Sequence, residues 1–178
     1  MSKTPNSVPD LDPALNMRVQ QFYFHEAQML DDKRFRDWLA MFDKSATYRV
    51  PIRRTMPPRE RKVEFSSEHD LSIFDENYRD LEQRIEKLET GKAWAEEPPS
   101  RTRHCITNVR IWRDSENLLV RTNFSVFQGR FGRDTHYFFG ERHDVLKESD
   151  GTFGLSLSSR LVLLDHTTLE VPSVSIFF

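Results

Sequence analysis

The second half of the chain decides the fold: RTRHCITNVRIWRDSENLLVRTNFSVFQGRFGRDTHYFFGERHDVLKESDGTFGLSLSSRLVLL, residues 101–164. Within it, apolar and polar residues alternate in four segments, which is typical of strands that bury one face. The segments are 103–113, 118–128, 135–147 and 153–164. Short runs rich in Asp, Asn, Ser and Gly separate them, at 114–117, 129–132 and 150–151. Because such short connections join strands that run in opposite directions, the stretch predicts an antiparallel meander.

The first half of the chain predicts helices. Asp12 followed by Pro13 is a favourable helix start, since the carboxylate caps free N–H groups and proline fits the first turn. Apolar residues then recur at helical spacing: Leu15, Val19, Phe22, Tyr23, Ala27 and Leu30. A second, short helix is expected from Asp31 or Asp32, burying Phe35, Trp38, Leu39 and Phe42.

A strand and a third helix are expected next. Alternating Ala46, Tyr48, Val50 and Ile52 predict a strand, which Pro51 either ends or restricts to a sheet edge. Residues 53–69 are charged and proline-containing, typical of a surface loop, and 96–99 form a linker before the meander. A third helix is predicted from Leu71, Phe74, Tyr78, Leu81, Ile85 and Leu88, with Gly91 as its C-terminal stop.

Helices first and strands last indicate an α+β domain. Three helices and a long alternating sheet suit an NTF2-like (cystatin-like) cone, in which a curved, mostly antiparallel sheet surrounds a helix. With 178 residues the chain fits one such domain. We expect a flexible N-terminal arm at 1–13 and a single domain at 14–178.

Composition excludes several classes of protein. A net charge of −2 is not that of a general nucleic-acid or anionic-membrane binder. The single cysteine, Cys105, cannot form an intrachain disulfide. With no apolar run of about 18 residues and no signal peptide, the sequence predicts a cytoplasmic protein that does not bind a membrane.

Metal ligands are sparse. A Rieske cluster needs two cysteines and two histidines, and a mononuclear iron site needs two histidines and a carboxylate on one face. The six histidines lie at 25, 69, 104, 136, 143 and 166, without helical pairing, and strand parity points His136 and His143 to opposite faces. We therefore expect no metal and no cofactor in this chain.

His104 is the best candidate for acid–base chemistry. It lies in a predicted strand, on the face opposite Cys105, which is expected to point to the core with Val109 and Ile111. A histidine near a carboxylate is a possible proton shuttle, with Asp43 or His25 as its partner. The alternative is a buried histidine that makes only structural hydrogen bonds.

Two further motifs favour structural interpretations. Ser156, Ser158 and Ser159 lie on a strand without the glycine pattern of a nucleophile elbow. Residues 141–144, ERHD, place Arg142 and Asp144 on one face of their strand and Glu141 and His143 on the other, which predicts ion pairs.

Several segments together resemble one family. They are FYFHEAQMLD at 22–31, YRVPIR at 48–53, AEEPPSRTRH at 95–104, FGERHDVL at 139–146 and SIFF at 175–178. In this order they are similar to the β (small) subunits of bacterial aromatic-ring-hydroxylating dioxygenases, and more to the biphenyl, benzene and toluene branch than to the naphthalene branch. The resemblance covers about residue 15 to the end.

The resemblance implies a small subunit without an active site of its own in a Rieske non-heme iron oxygenase. It implies an α3β3 hexamer in which the large α subunit carries the Rieske [2Fe–2S] cluster and a mononuclear Fe(II). Electrons from NADH would reach that subunit through a reductase and a ferredoxin, and the arene would become a cis-dihydrodiol. The arene itself is not implied.

The expected role of this chain is to hold the large subunits together. Arginine and aromatic residues favour such interfaces, so the candidate contacts are Arg101, Arg103, Arg142, Phe177 and Phe178. Two alternatives remain open: a free-standing dehydratase or isomerase using His104 with Asp43 or His25, and a cone-shaped carrier of a small apolar ligand.

Overall fold

A computed structural model of the chain describes residues 8–57, 59, 64–91, 99–130, 134–169 and 174–178. In this part of the chain, three α-helices, six strands and a short 3₁₀ helix (Thr152–Gly154) make an α+β domain. The α-helices and strands are α1 Pro13–Asp31, α2 Phe35–Leu39, β1 Phe42–Pro51, β2 Ser72–Asn77, α3 Tyr78–Glu89, β3 Arg101–Asp114, β4 Asn117–Arg130, β5 Asp134–Glu148 and β6 Leu155–Leu164. Among these residues, no helix is long and apolar enough to cross a membrane.

The six strands form one sheet in the order β2-β1-β6-β5-β4-β3. Neighbours from β6 to β3 are antiparallel, which confirms the predicted meander. β1 joins β6 in parallel and β2 in antiparallel orientation. Since β1 lies inside the sheet, Pro51 marks its end and not an edge strand.

The curved sheet surrounds α1. The helix begins as predicted, with the Asp12 carboxylate accepting a hydrogen bond from the Ala14 N–H at 3.0 Å. Its predicted apolar face is buried. The helix packs on β3, and its Glu26 bonds to Arg142 of β5 and Arg160 of β6. One helix therefore contacts both halves of the meander, which confirms the NTF2-like cone.

Two helix predictions were wrong in their bounds. The third helix begins at Tyr78, because Asn77 and Asp80 form a reciprocal cap there. Phe74 belongs instead to β2, paired with Val50 of β1, and Leu71 is exposed. The second helix begins at Phe35, and Phe42 lies in β1. Pairing with a distant strand overrides local periodicity in these places.

A bulge in β3 reverses the predicted facing of Cys105. Asn108 has a positive φ of 53° and interrupts the pairing with β4 between Thr107 and Arg110. The strand therefore changes faces, as bulges do. His104 and Ile111 both point inward, whereas Cys105 is exposed.

Some predicted segments lie partly outside the described residues. These are residues 1–7 of the predicted arm, 58 and 60–63 of the loop, 96–98 of the linker and 131–132 of the turn. The described end of the arm contacts β3: the Asp10 N–H donates to the Ile111 carbonyl at 2.7 Å.

A cluster of charged side chains is buried among the apolar residues inside the cone. Glu26 accepts hydrogen bonds from Arg160 at 2.6 and 3.0 Å and from Arg142 at 2.9 Å. Asp144 accepts from Arg160 at 2.8 Å and from the Tyr23 hydroxyl at 2.9 Å. Two carboxylates thus balance two guanidinium groups, and this buried cluster ties α1 to β5 and β6.

The cluster keeps Glu26 ionised. Burial by itself raises the pKa of this carboxyl, but the charges of Arg160 and Arg142 and the donated hydrogen bonds lower the pKa to about 2. Burial disfavours the charged form of any carboxyl, whereas nearby cations favour it. In this site the cations prevail.

Removal of the Glu26 carboxylate should strongly destabilise the fold. In Glu26→Ala two buried guanidinium groups lose a counter-charge, and we expect a loss of about 3–5 kcal/mol in the free energy of unfolding. Glu148→Ala, which removes an exposed partner of Arg18, should cost less than about 1 kcal/mol. Urea unfolding of both variants measures the difference, and equal losses would contradict the importance of the cluster.

The same carboxyl should contribute to acid unfolding. Its folded-state pKa lies below the ordinary value of 4.5, so its contribution to stability is complete above that value and is lost as the pH falls toward 2. Between these limits, the stability of Glu26→Gln should depend less steeply on pH, by up to about 1.4 kcal/mol per pH unit. Urea titrations at a series of pH values measure the slope; parallel slopes would exclude this role.

Candidate functional site

His104 lies at the mouth of the cone, where β3 meets the end of α1. Its Nδ1 is 2.6 Å from Asp31 Oδ1, and its Nε2 is 3.0 Å from the Phe177 carbonyl oxygen. Both side chains of the pair are nearly inaccessible to solvent. The main-chain N–H of His104 also donates to the Asp31 carboxylate. The histidine therefore connects three separate parts of the chain.

This arrangement does not suit a general base. Both ring nitrogens of His104 lie within hydrogen-bonding distance of acceptor groups of the same chain, the Asp31 carboxylate and the Phe177 carbonyl. A substrate would therefore have to displace one of these partners before it could reach a ring nitrogen. Of the two interpretations of this histidine, the geometry favours the structural one.

The partners predicted for His104 are not beside it. Asp43 accepts hydrogen bonds from Ser45 instead, and the His25 ring packs on Phe153, with ring centroids 5.9 Å apart. Asp31, which sequence reasoning missed, is the carboxylate at the site. It lies 73 residues before His104, so only the fold brings them together.

The Asp31 carboxyl is held as an anion. Partial burial raises its pKa, but the hydrogen bond and charge of His104 lower the pKa below its ordinary value. Arg103 adds a cation 3.3 Å from the same carboxylate. Asp31 of α1 thus contacts His104 and Arg103 of β3. We call this contact between the helix and the strand the His104–Asp31 joint.

The predicted interface arginines of β3 lie on the outer face of the sheet. Arg101 and Arg103 are exposed, Arg103 with 72% of its side chain accessible. Strand register places Arg103 beside Phe127 of β4, and Phe127 beside Tyr137 of β5. Phe139 is also exposed on this face. We call these five residues, 101, 103, 127, 137 and 139, the outer patch.

The other three predicted contacts lie inside the chain. Arg142 is 1% exposed and pairs with Glu26. The Phe177 ring packs against Trp38 with centroids 4.4 Å apart, and Phe178 packs against Phe138 at 5.3 Å. Alternation points Arg142 inward, and the tail fills the core, so these side chains offer a partner almost no surface.

The other candidate chemistries are not assembled. Among the residues that the structure describes, no group of three or more His, Cys, Asp or Glu is placed to hold a metal ion. His143 bonds to Glu141 at 2.9 Å on the outer face, as the parity of ERHD predicts. Ser156, Ser158 and Ser159 lie along β6.

Sequence reasoning also missed Glu26 and Arg160. Glu26 occupies the buried stripe of α1, and a charged residue at such a position was a usable signal. The sequence contains no such signal for Arg160, because β6 has a bulge at Ser158. Val145 pairs with Ser159 and Leu146 with Leu157, so Ser158 is left without a partner in the ladder. This bulge turns Arg160 inward although Leu155 and Leu157, of opposite parity, also point inward.

Known proteins match this fold and sequence over nearly their whole length. The beta subunit of biphenyl 2,3-dioxygenase from Rhodococcus jostii (strain RHA1) is 36% identical, over 94% of this chain and 91% of that protein. The beta subunit of benzene 1,2-dioxygenase from Pseudomonas putida is 33% identical, over 93% and 90%. A structure of naphthalene 1,2-dioxygenase with indole in its active site matches with a TM-score of 0.83 and 25% identity, over 95% of this chain and 88% of that one.

A family model described as "Ring hydroxylating beta subunit" matches residues 25–171, which include the His104–Asp31 joint, the buried cluster and the outer patch. The matched range and the identities show that this chain belongs to the family of beta subunits of aromatic-ring-hydroxylating dioxygenases.

Proposed function

We propose that this chain is the small structural subunit of the terminal oxygenase of a multicomponent dioxygenase. It would hold large catalytic subunits in an α3β3 assembly that converts an arene, O₂ and NADH into a cis-dihydrodiol. Family membership and the names of the relatives support the reaction class. In the assembly the large subunit would carry the redox centres and receive electrons from a cytoplasmic reductase and ferredoxin.

The residues of this chain do not fit the redox groups themselves. A Rieske cluster takes two cysteines and two histidines, whereas the sequence contains one cysteine, which is exposed. His104 and His143 have ring nitrogens bonded to carboxylates of the same chain. The redox groups of the proposed assembly would therefore be held by the large subunit and not by this chain.

The observation that carries the proposal is the commitment of both His104 nitrogens to structural bonds. His104 joins α1, β3 and the tail of the same chain through both of its ring nitrogens. The interior carboxylates Glu26 and Asp144 are likewise paired with arginines. These groups stabilise a rigid body, which is the property that a spacer between catalytic subunits needs.

The outer patch is the surface that we assign to the large subunit. Arginine and aromatic side chains are enriched where protein interfaces bind most strongly. Tyr137 and Phe139, 56% and 48% exposed, are large apolar groups left in contact with water. A partner that covers them gains by removing that surface from solvent.

Substitutions in the outer patch should weaken binding to the large subunit. We expect Arg103→Glu and Tyr137→Ser each to raise the dissociation constant for the large subunit roughly thirtyfold, equivalent to about 2 kcal/mol. Arg79→Glu changes an exposed arginine on α3, away from the patch, and is the matched control. Co-expression with the large subunit, followed by size-exclusion chromatography over a dilution series, measures the constants; unchanged hexamers in both patch variants would refute the assignment.

Loss of His104 should affect stability and not turnover. His104→Ala removes the imidazole that contacts both the Asp31 carboxylate and the Phe177 carbonyl, and we expect a loss of about 1–3 kcal/mol in unfolding free energy. The rate of arene oxidation per iron in the assembled complex should be unchanged, as it should be for the exposed control His69→Ala. Turnover by the free chain that disappears in His104→Ala would instead establish an independent enzyme.

A further inference from the structure

A pocket of about 240 Å³ opens at the mouth of the cone, apart from the buried charge cluster. The end of α1, the end of α3 and the tail enclose it. Its apolar wall consists mainly of Leu30, Phe35, Leu88, Ile176 and Phe177. The structural role proposed above does not require a cavity here.

The polar groups of the wall are already paired within the chain. His104 bonds to Asp31 and to the Phe177 carbonyl. Lys33 donates to Thr102 at 3.4 Å, and Ser175 accepts from Gln128 at 3.4 Å. Among the described residues with unpaired buried side-chain atoms, none lines this pocket. A ligand therefore needs to supply no hydrogen bond.

The charges around the pocket favour a neutral ligand. Glu89 at its rim is bound by Arg36 at 2.6 and 2.8 Å, and the Asp31 charge is paired with His104. Lys33, a cation of the wall, donates a hydrogen bond to Thr102 and lies over the Phe35 ring at 5.9 Å. An anion would lose its hydration without gaining a free partner.

The volume suits a small aromatic ring. An engineered apolar cavity of roughly 150 Å³ is known to stay dry and to bind benzene. The present pocket is larger and has two aromatic walls, since the Phe35 and Phe177 rings lie 5.5 Å apart at an angle of 55°. Aromatic pairs prefer such tilted or edge-to-face contacts, and a third ring can extend the arrangement.

We propose that this pocket binds a small neutral aromatic hydrocarbon, one ring with small apolar substituents. The site would give the small subunit its own affinity for the class of molecule that the proposed complex oxidises. Because it lies within a single chain, its binding can be measured without the large subunit. If the chain does not bind the ligand, the proposed assembly with the large subunit is unaffected. If the assembly proposal fails, ligand binding in the pocket is likewise unaffected.

Titration of the purified full-length chain with toluene tests the site. We expect saturable NMR shifts and intermolecular nuclear Overhauser effects from the toluene methyl group to the Phe35 and Phe177 rings. Benzoate, the same ring with a carboxylate, should bind at least about tenfold more weakly. At a free toluene concentration ten times its dissociation constant, the unfolding equilibrium constant should fall about elevenfold.

A cavity-filling variant completes the test. Leu88→Trp places a larger side chain in the wall and should abolish both the shifts and the stabilisation, whereas the matched control Leu71→Trp at an exposed position should retain them. The Overhauser effects in the unaltered protein decide the question even if Leu88→Trp does not fold. Absence of saturable binding, equal binding of benzoate, or contacts to other residues would overturn the proposal.

Discussion

Two carboxylates and two guanidinium groups sealed inside a curved sheet constrain the whole molecule. Moving such groups out of water costs several kcal/mol each unless partners of opposite charge meet them at close distance. Glu26, Asp144, Arg142 and Arg160 meet this condition only if α1, β5 and β6 take one relative position. The cluster therefore favours a single arrangement of the helix within the cone. A purely apolar core of similar volume would tolerate several positions of the helix more readily.

Polar side chains at the mouth of the cone are also paired with groups of the same chain. His104 and Asp31 fasten β3 to the end of α1, and His104 also fastens the tail through Phe177. A histidine and a carboxylate, the residue types of acid–base catalysis, here bond to each other and to the tail. A body held together in this way can transmit position from one catalytic subunit to the next, which is the requirement of the proposed assembly.

The interior of the cone and the outer face of the sheet therefore differ in how their charged and aromatic side chains are arranged. The interior satisfies its own charges, whereas the outer patch leaves aromatic rings and arginines in solvent. Arg142 on β5 is buried and offers a partner almost no surface. Arg103, two strands away on β3, is exposed and remains a candidate contact. The pocket at the mouth belongs to neither region, because its polar groups are paired and its apolar wall is not covered by the described residues.

Local patterns in the sequence determined the antiparallel meander, the start of α1 after Asp12 and the shared face of Arg142 and Asp144, since period-two alternation and capping act over a few residues. The order of its motifs also determined the family. Only the tertiary structure decided that residues 72–77 form a strand and that Asp31 is the partner of His104. It also decided that a bulge at Asn108 leaves Cys105 exposed and His104 buried, and that a bulge at Ser158 turns Arg160 inward. The physical reason is that a bulge shifts the facing of every later residue in its strand, and a contact between distant residues depends on packing that no local pattern records.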